Sequence, residues 1–152
     1  YPDGFKACNG EAEMAAGVTV SQQTRKGFGL SFISLIGNDT EYNDHGYEIH
    51  LMYGATCSPS DKDRSTVNDS PDAVEFSWEC TTTPVPVGGN YKPTAHIVIK
   101  STDFKTEQEK ALLTSFEEII YGKAASGNDS EVAPRLPLPA EVIQHFGGQA
   151  AG

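Results

Sequence analysis

No run of about 18 apolar residues occurs in this 152-residue chain, so the sequence offers no transmembrane helix. Basic residues are also scarce. Eleven Lys and Arg stand against 21 Asp and Glu, a net charge of −10 and a pI near 4.7. A chain so acidic has no counterion-release route to tight DNA binding, and at long range it repels nucleic acid and anionic lipid. Repulsion serves solubility, and it also suits a surface that DNA must pass without sticking. Cysteine is thin: Cys8, Cys57 and Cys80 form an odd set with no CxxC pair and no zinc-like spacing. That argues against a disulfide framework and for three small, partly buried side chains in a reducing cytoplasm. A single Cys8–Cys57 or Cys57–Cys80 bridge is the alternative. The chain opens on Tyr1 with neither an initiator Met nor a basic, apolar leader. The expectation is that a signal peptide is absent or already removed and that the numbering starts inside a longer protein.

Chemical signatures are missing as well. There is no GxSxG elbow, no glycine-rich phosphate loop and no GxGxxG. Asp39, Glu41, Asp44, His45 and His50 crowd one stretch, yet they match neither HExxH nor the EF-hand spacing. Glu75 and Glu79 share a strand face about 13 Å apart, too far for a glycosidase pair. The expectation is a protein that is not an enzyme, with no catalytic residues, no metal and no cofactor.

What is present suffices for one folded domain. Hydrophobic residues make up 38% and charged residues 21%, and a chain of this size buries about 70% of its unfolded surface. Residues 1–17 read as a short helix-like or irregular patch. From residue 27 the period is two: Phe28, Leu30 and Phe32 fall on one face, with Ile33 and Leu35 on the other, which implies cover on both sides or a bulge. Residues 37–46 read as a polar loop. In the next strand, residues 47–53, Tyr47, Ile49, Leu51 and Tyr53 alternate against Glu48, His50 and Met52. Residues 54–71 read as a long polar connection, functional or flexible, carrying the self-neutralising cluster Asp61, Lys62, Asp63 and Arg64. A third strand spans 73–82, with Val74, Phe76, Trp78 and Cys80 on its apolar face and Trp78, the single Trp, as a core anchor. A fourth spans 94–100, with Ala95, Ile97 and Ile99 against His96 and Val98.

The period then changes to 3.6. Thr106 and Glu109 form a capping box, Leu112, Leu113, Phe116, Ile119 and Ile120 form an apolar stripe, and Gly122 ends the helix. Residues 123–134 read as a mobile linker. Leu136, Leu138, Val142, Ile143 and Phe146 are too apolar for a free tail and should dock on their own domain or a neighbour. The reading is a mainly β fold with one flanking α-helix.

Several segments in series carry a further likeness: GVTVSQQTRKGFGLSF (17–32), IGNDTEYNDHGYEIHLMYGATCSPSDK (36–62), VNDSPDAVEFSWECTTTPVPV (67–87), YKPTAHIVI (91–99) and LPLPAEVIQHF (136–146). In this order the chain resembles the C-terminal two-thirds of the major tail protein, the tail tube subunit, of long-tailed, non-contractile bacteriophages. The resemblance implies a tail-tube-like β-sandwich or open barrel contributing strands to an oligomeric β-barrel. It implies hexameric rings stacked into a tube that conducts DNA at ejection. The partners would be the chain itself, other tail proteins, and the tape-measure protein and DNA transiently in the lumen, with no membrane. The location would be the virion tail, assembled in the host bacterial cytoplasm. Family members carry further residues before a segment like 1–4, so an N-terminal part of the β domain is expected to lie outside this numbering. On this likeness residues 1–134 form the β domain and 135–152 a C-terminal arm, with Leu136, Leu138, Val142, Ile143 and Phe146 reaching an adjacent subunit. Asp61, Lys62, Asp63 and Arg64 become the inter-ring contact, and Glu48, Glu75 and Glu79 a DNA-repelling lumen face. The Trp78 strand and the helix would build the core together. A stand-alone β-sandwich binding or virion decoration module is the competing reading.

Overall fold

The computed structural model describes residues 3–59, 78–127 and 130–147. It is mainly β, with 41% strand and 22% helix. The chain divides into two compact units, residues 1–28 with 55–82 and residues 29–54 with 83–152. The strands are β1 (Ala12–Ala15), β2 (Val18–Val20), β3 (Phe28–Asn38), β4 (Tyr42–Pro59), β5 (Trp78–Thr82) and β6 (His96–Lys100). The helices are α1 (Glu107–Tyr121) and α2 (Pro139–His145). The strand order is β3-β4-β5, with β6 also paired to β4. Among the described residues no barrel closes.

In the first unit, β1 and β2 form an antiparallel hairpin whose turn uses Gly17 at φ 77°. The patch read as helix-like or irregular holds a single 3-10 turn at Asp3–Phe5 and turns over 6–10, and the strand β1 follows. Glycines on either side leave too few residues for a helix to outlast its nucleation cost. The end of β4 pairs antiparallel with β5 and sets Cys57 directly opposite Cys80, and the two form a disulfide. Cys8 is free. The expectation of three unpaired thiols is thus corrected, because the register brings two distant cysteines face to face. Trp78 is half-buried. It stacks on Phe5 at 5.7 Å between ring centroids and donates from Nε1 to Asn9 Oδ1 at 3.0 Å.

In the second unit, one face of β4 and β6 carries the core. Ile49, Leu51 and Tyr53 of β4 and Ile99 of β6 pack with Leu113, Phe116 and Ile120 of α1 and Val142 of α2. The register Ile49↔Ile99 and Leu51↔Ile97 lines these side chains up. The core helix therefore packs on the middle of β4, and Trp78 has no place in this cluster. The expectation that the Trp78 strand and the helix share one core is corrected: they belong to different units.

The α1 boundaries follow its chemistry. Thr106 Oγ1 accepts from Glu109 N at 3.2 Å, and Glu109 accepts from Thr106 N at 2.8 Å, completing the capping box. Those bonds, with the backbone of Thr106 foremost, hold the Glu109 carboxyl below its ordinary range. Gly122 ends the helix at φ 79°, where a Cβ would press on the Val132 carbonyl at 2.8 Å. The segment after it is pinned by a bridge between Lys123 and Val132, so it is more constrained than the linker expected from its Ser, Gly and Asn content. The α2 start is tied by Arg135 to Glu141 at 3.0 Å and by Leu138 N to Glu141 at 2.8 Å.

Three other expectations change. The β3–β4 connection is three residues, 39–41, not ten. Asn38 Oδ1 accepts from the backbone N–H of Thr40 and Glu41, and His45 bonds Glu41 at 2.6 Å, so a short turn suffices. β4 runs to Pro59, so the polar stretch 54–59 is strand. Gly54 makes this possible: it sits at φ 60°, with the Thr83 backbone against the space a Cβ would fill. Finally, Ile33 and Leu35 are 45% and 65% exposed. The second face of β3 lies open there and is not covered.

Two phenols tie strand to helix side in the second unit. Tyr47 donates to Glu117 of α1, and Tyr53 donates to the Pro137 carbonyl at 2.9 Å. Burial, with the Glu117 bond adding to it for Tyr47, pushes both phenols up to about 12. The unfolded chain releases these protons near the ordinary tyrosine value of about 10. The stabilisation is therefore complete below pH 10 and is lost as pH climbs towards 12. An alkaline titration followed at the phenolate absorbance should show Tyr47 and Tyr53 ionising late, with Tyr121 also above the ordinary range through burial, and loss of the fold in the same window. Simultaneous ionisation of all tyrosines near pH 10, with the fold intact, would contradict the arrangement.

Candidate functional site

The second unit buries one face of its strands and leaves the other open. Even-numbered residues point away from α1 by the strand alternation. Phe32 and Ser34 come from β3, Glu48, His50 and Met52 from β4, and His96, Val98 and Lys100 from β6. Cross-strand register places Glu48 opposite Lys100, His50 opposite Val98 and Met52 opposite His96.

A row of contacts crosses this face. Phe32 stacks on the His50 ring, centroids 4.5 Å apart and planes within 9°. Ser34 Oγ lies 2.8 Å from His50 Nε2. His50 Nδ1 lies 3.1 Å from His96 Nε2, the two rings 6° from parallel. A nitrogen-to-nitrogen distance that short, with centroids 5.3 Å apart, means the imidazoles meet edge to edge. Glu48 Oε2 stands 3.7 Å from His50 Nε2. His50 is well covered, with 15% of its side chain exposed. At the far end the Thr94 hydroxyl donates to the His96 carbonyl at 2.9 Å and accepts from the His96 N–H at 3.2 Å.

The strand edges are the second feature. Among the described residues β3 and β6 each have a single strand partner, β4. Thr94 occupies the backbone groups of His96, which blocks part of the β6 edge. Among the described residues the β3 edge has no such plug, and it exposes Phe32, Ile33 and Leu35 at 44%, 45% and 65%. A long, flat, apolar edge is a template for pairing with another strand.

The site residues expected from sequence fall as follows. Glu48 is half-buried on the open face, with Lys100 as its cross-strand register partner. Glu79 is exposed on β5 in the first unit, opposite Ser58. Glu75 and the cluster Asp61, Lys62, Asp63 and Arg64 lie outside the described residues. Glu48 and Glu79 belong to different units, and the Lys100 pairing weakens the case for a uniformly acidic face. In the terminal segment, Val142 is buried and Leu136 and Phe146 pack on the second unit's own core. Ile143 is half-buried, and Leu138 is 60% exposed. Residues 135–147 are thus a structural part of that unit, because α2 covers the same sheet face as α1. Of the crowded acidic and histidine stretch, His45 bonds Glu41 and Asn38 in the turn, while His50 lies on the open face.

The row itself was not read from the sequence. Ser34, His50 and His96 sit on three strands, and only cross-strand register joins them. The available signal was their common even-numbered face. No family model, curated protein or solved structure matches this chain.

Proposed function

We propose that the chain is a structural virion protein, a subunit of the tail tube of a long-tailed, non-contractile phage. Copies close into hexameric rings, and rings stack into a conduit for DNA. One observation carries the reading: the β3 edge has no strand partner on its outer side among the described residues, and it presents exposed Phe32, Ile33 and Leu35. A copy of the same chain adding a strand there would bury those side chains and satisfy the free backbone groups. The net charge of −10 favours a conduit that DNA slides along without binding. The series of sequence segments given above is the source of the family. The disulfide fits a virion, since virion surfaces are among the oxidising settings where such bonds persist. On this reading the bond closes after assembly in the bacterial cytoplasm.

Negative-stain electron microscopy of the full-length protein tests this. Rings or tubes are expected from the unmodified chain. The double variant Ile33→Lys with Leu35→Lys should stay monomeric with unchanged circular dichroism, because charge on an edge strand blocks pairing. A monodisperse monomer at high concentration across a range of salt would sink the reading.

A further inference from the structure

We propose that Ser34, His50 and His96 form a nucleophile, a base and a positioning residue, which together make Ser34 a reactive serine that accepts acyl groups from small aryl esters. The inference concerns the unassembled chain, because a strand added at the β3 edge would bury Phe32, and all three residues lie in one unit of one chain.

Nucleophilic serine chemistry needs a hydroxyl within hydrogen-bond reach of a base, and a base held by a third group. Both distances are present: 2.8 Å from Ser34 Oγ to His50 Nε2, and 3.1 Å from His50 Nδ1 to His96 Nε2. In the reactive tautomer His50 Nδ1–H donates to His96 Nε2. That leaves the Nε2 lone pair to accept the Ser34 hydroxyl proton. Glu48, 3.7 Å from the same nitrogen, stabilises the imidazolium formed when the proton arrives. Phe32 stacks on the ring and prevents it from turning away. The Thr94 hydroxyl holds the His96 backbone. Phe32 is also 44% exposed on the face that carries Ser34, so its ring edge is a stacking surface for an aromatic substrate.

The chemistry balances without a cofactor. Ser34 Oγ attacks the ester carbonyl while its proton passes to His50 Nε2. The bond to the aryl oxygen breaks, and the phenol leaves with that proton. Water, deprotonated by the same nitrogen, then attacks the acyl carbonyl, the bond to Ser34 Oγ breaks, the proton passes from His50 to Oγ, and the carboxylic acid leaves. A fluorophosphonate reports the first half alone: an O–P bond forms, the P–F bond breaks, fluoride leaves, and the proton goes through His50 to solvent.

The test is labelling of the full chain with a fluorophosphonate probe, mapped by peptide mass spectrometry. Ser34 should be modified at least about tenfold faster than the exposed Ser21, and Ser34→Ala should abolish the fast label. His50→Gln should slow it about 100-fold, the scale of general-base catalysis. His96→Ala should slow it, whereas His96→Gln, which can still accept from Nδ1–H, should restore much of the rate. Labelling of Ser34 no faster than Ser21, or a rate insensitive to His50→Gln in a variant with native circular dichroism, overturns the proposal. The comparison of Ser34 with Ser21 needs no variant, so a misfolded substitution does not leave the matter open.

Discussion

Replacing Phe116 with alanine is expected to destabilise the second unit by about 4 kcal/mol and to lower its thermal midpoint by about 20 °C. Phe116 is fully buried and is among the largest such side chains. Its ring meets Phe146 at 5.0 Å and His145 at 5.3 Å, and it belongs to the cluster that holds Ile49, Leu51 and Ile99. Truncation removes the transfer free energy of the ring and leaves a cavity that two helices and a sheet cannot all close in on. It also strands α2, whose seven residues are too few to persist without tertiary contacts. The check is chemical denaturation followed by far-ultraviolet circular dichroism, which reads the helices. Leu112→Ala, one turn away but 40% exposed, is the control, with an expected loss below about 1 kcal/mol. Equal losses for the two variants would show that the stripe does not bury the face assigned to it.

That contrast shows what the sequence makes legible. Thr106, Glu109 and Gly122 are local devices, each acting through the nearest backbone groups, and α1 starts and stops where they say. The alternation Tyr47, Ile49, Leu51 and Tyr53 is equally local, since a strand half-buried against helices must bury every second residue. Features that depend on what lies across a strand are hidden. Cys57 and Cys80 are 23 residues apart with no motif between them. Only the β4–β5 register makes them partners. Ser34, His50 and His96 are in the same position, separated in sequence and joined by sheet order. The reach of β4 to Pro59 is hard to see because Ala55 and Cys57, which continue the buried alternation, are small and stand among Gly54, Thr56, Ser58 and Pro59, residues that read as a loop. Gly54 looks like a turn residue, yet its positive φ accommodates the Thr83 backbone inside a continuing strand. The side of β3 that stays open is likewise a property of its neighbours. Ile33 and Leu35 are apolar enough to suggest cover that the chain, taken alone, does not supply.

Removing the disulfide gives the second large effect. The double variant Cys57→Ser with Cys80→Ser should lose about 3 kcal/mol, the loop-entropy value for a cross-link spanning roughly 20 residues. The loss belongs to the first unit, where the bond fastens β4 to β5. Trp78 begins that same β5 strand and is the chain's single Trp, so its emission isolates this unit from the helices of the other. Its stack on Phe5 and its bond to Asn9 both depend on β5 holding its place. Denaturant unfolding read by tryptophan fluorescence should therefore shift to a lower midpoint, while the helical signal moves less. Treating the unmodified protein with reductant should reproduce the variant, and Cys8→Ser, which touches no disulfide, should change neither curve. Coincident fluorescence midpoints for oxidised and reduced protein would mean that the β4–β5 pairing is held by its ladder alone. In that case the bond's contribution to stability would be small.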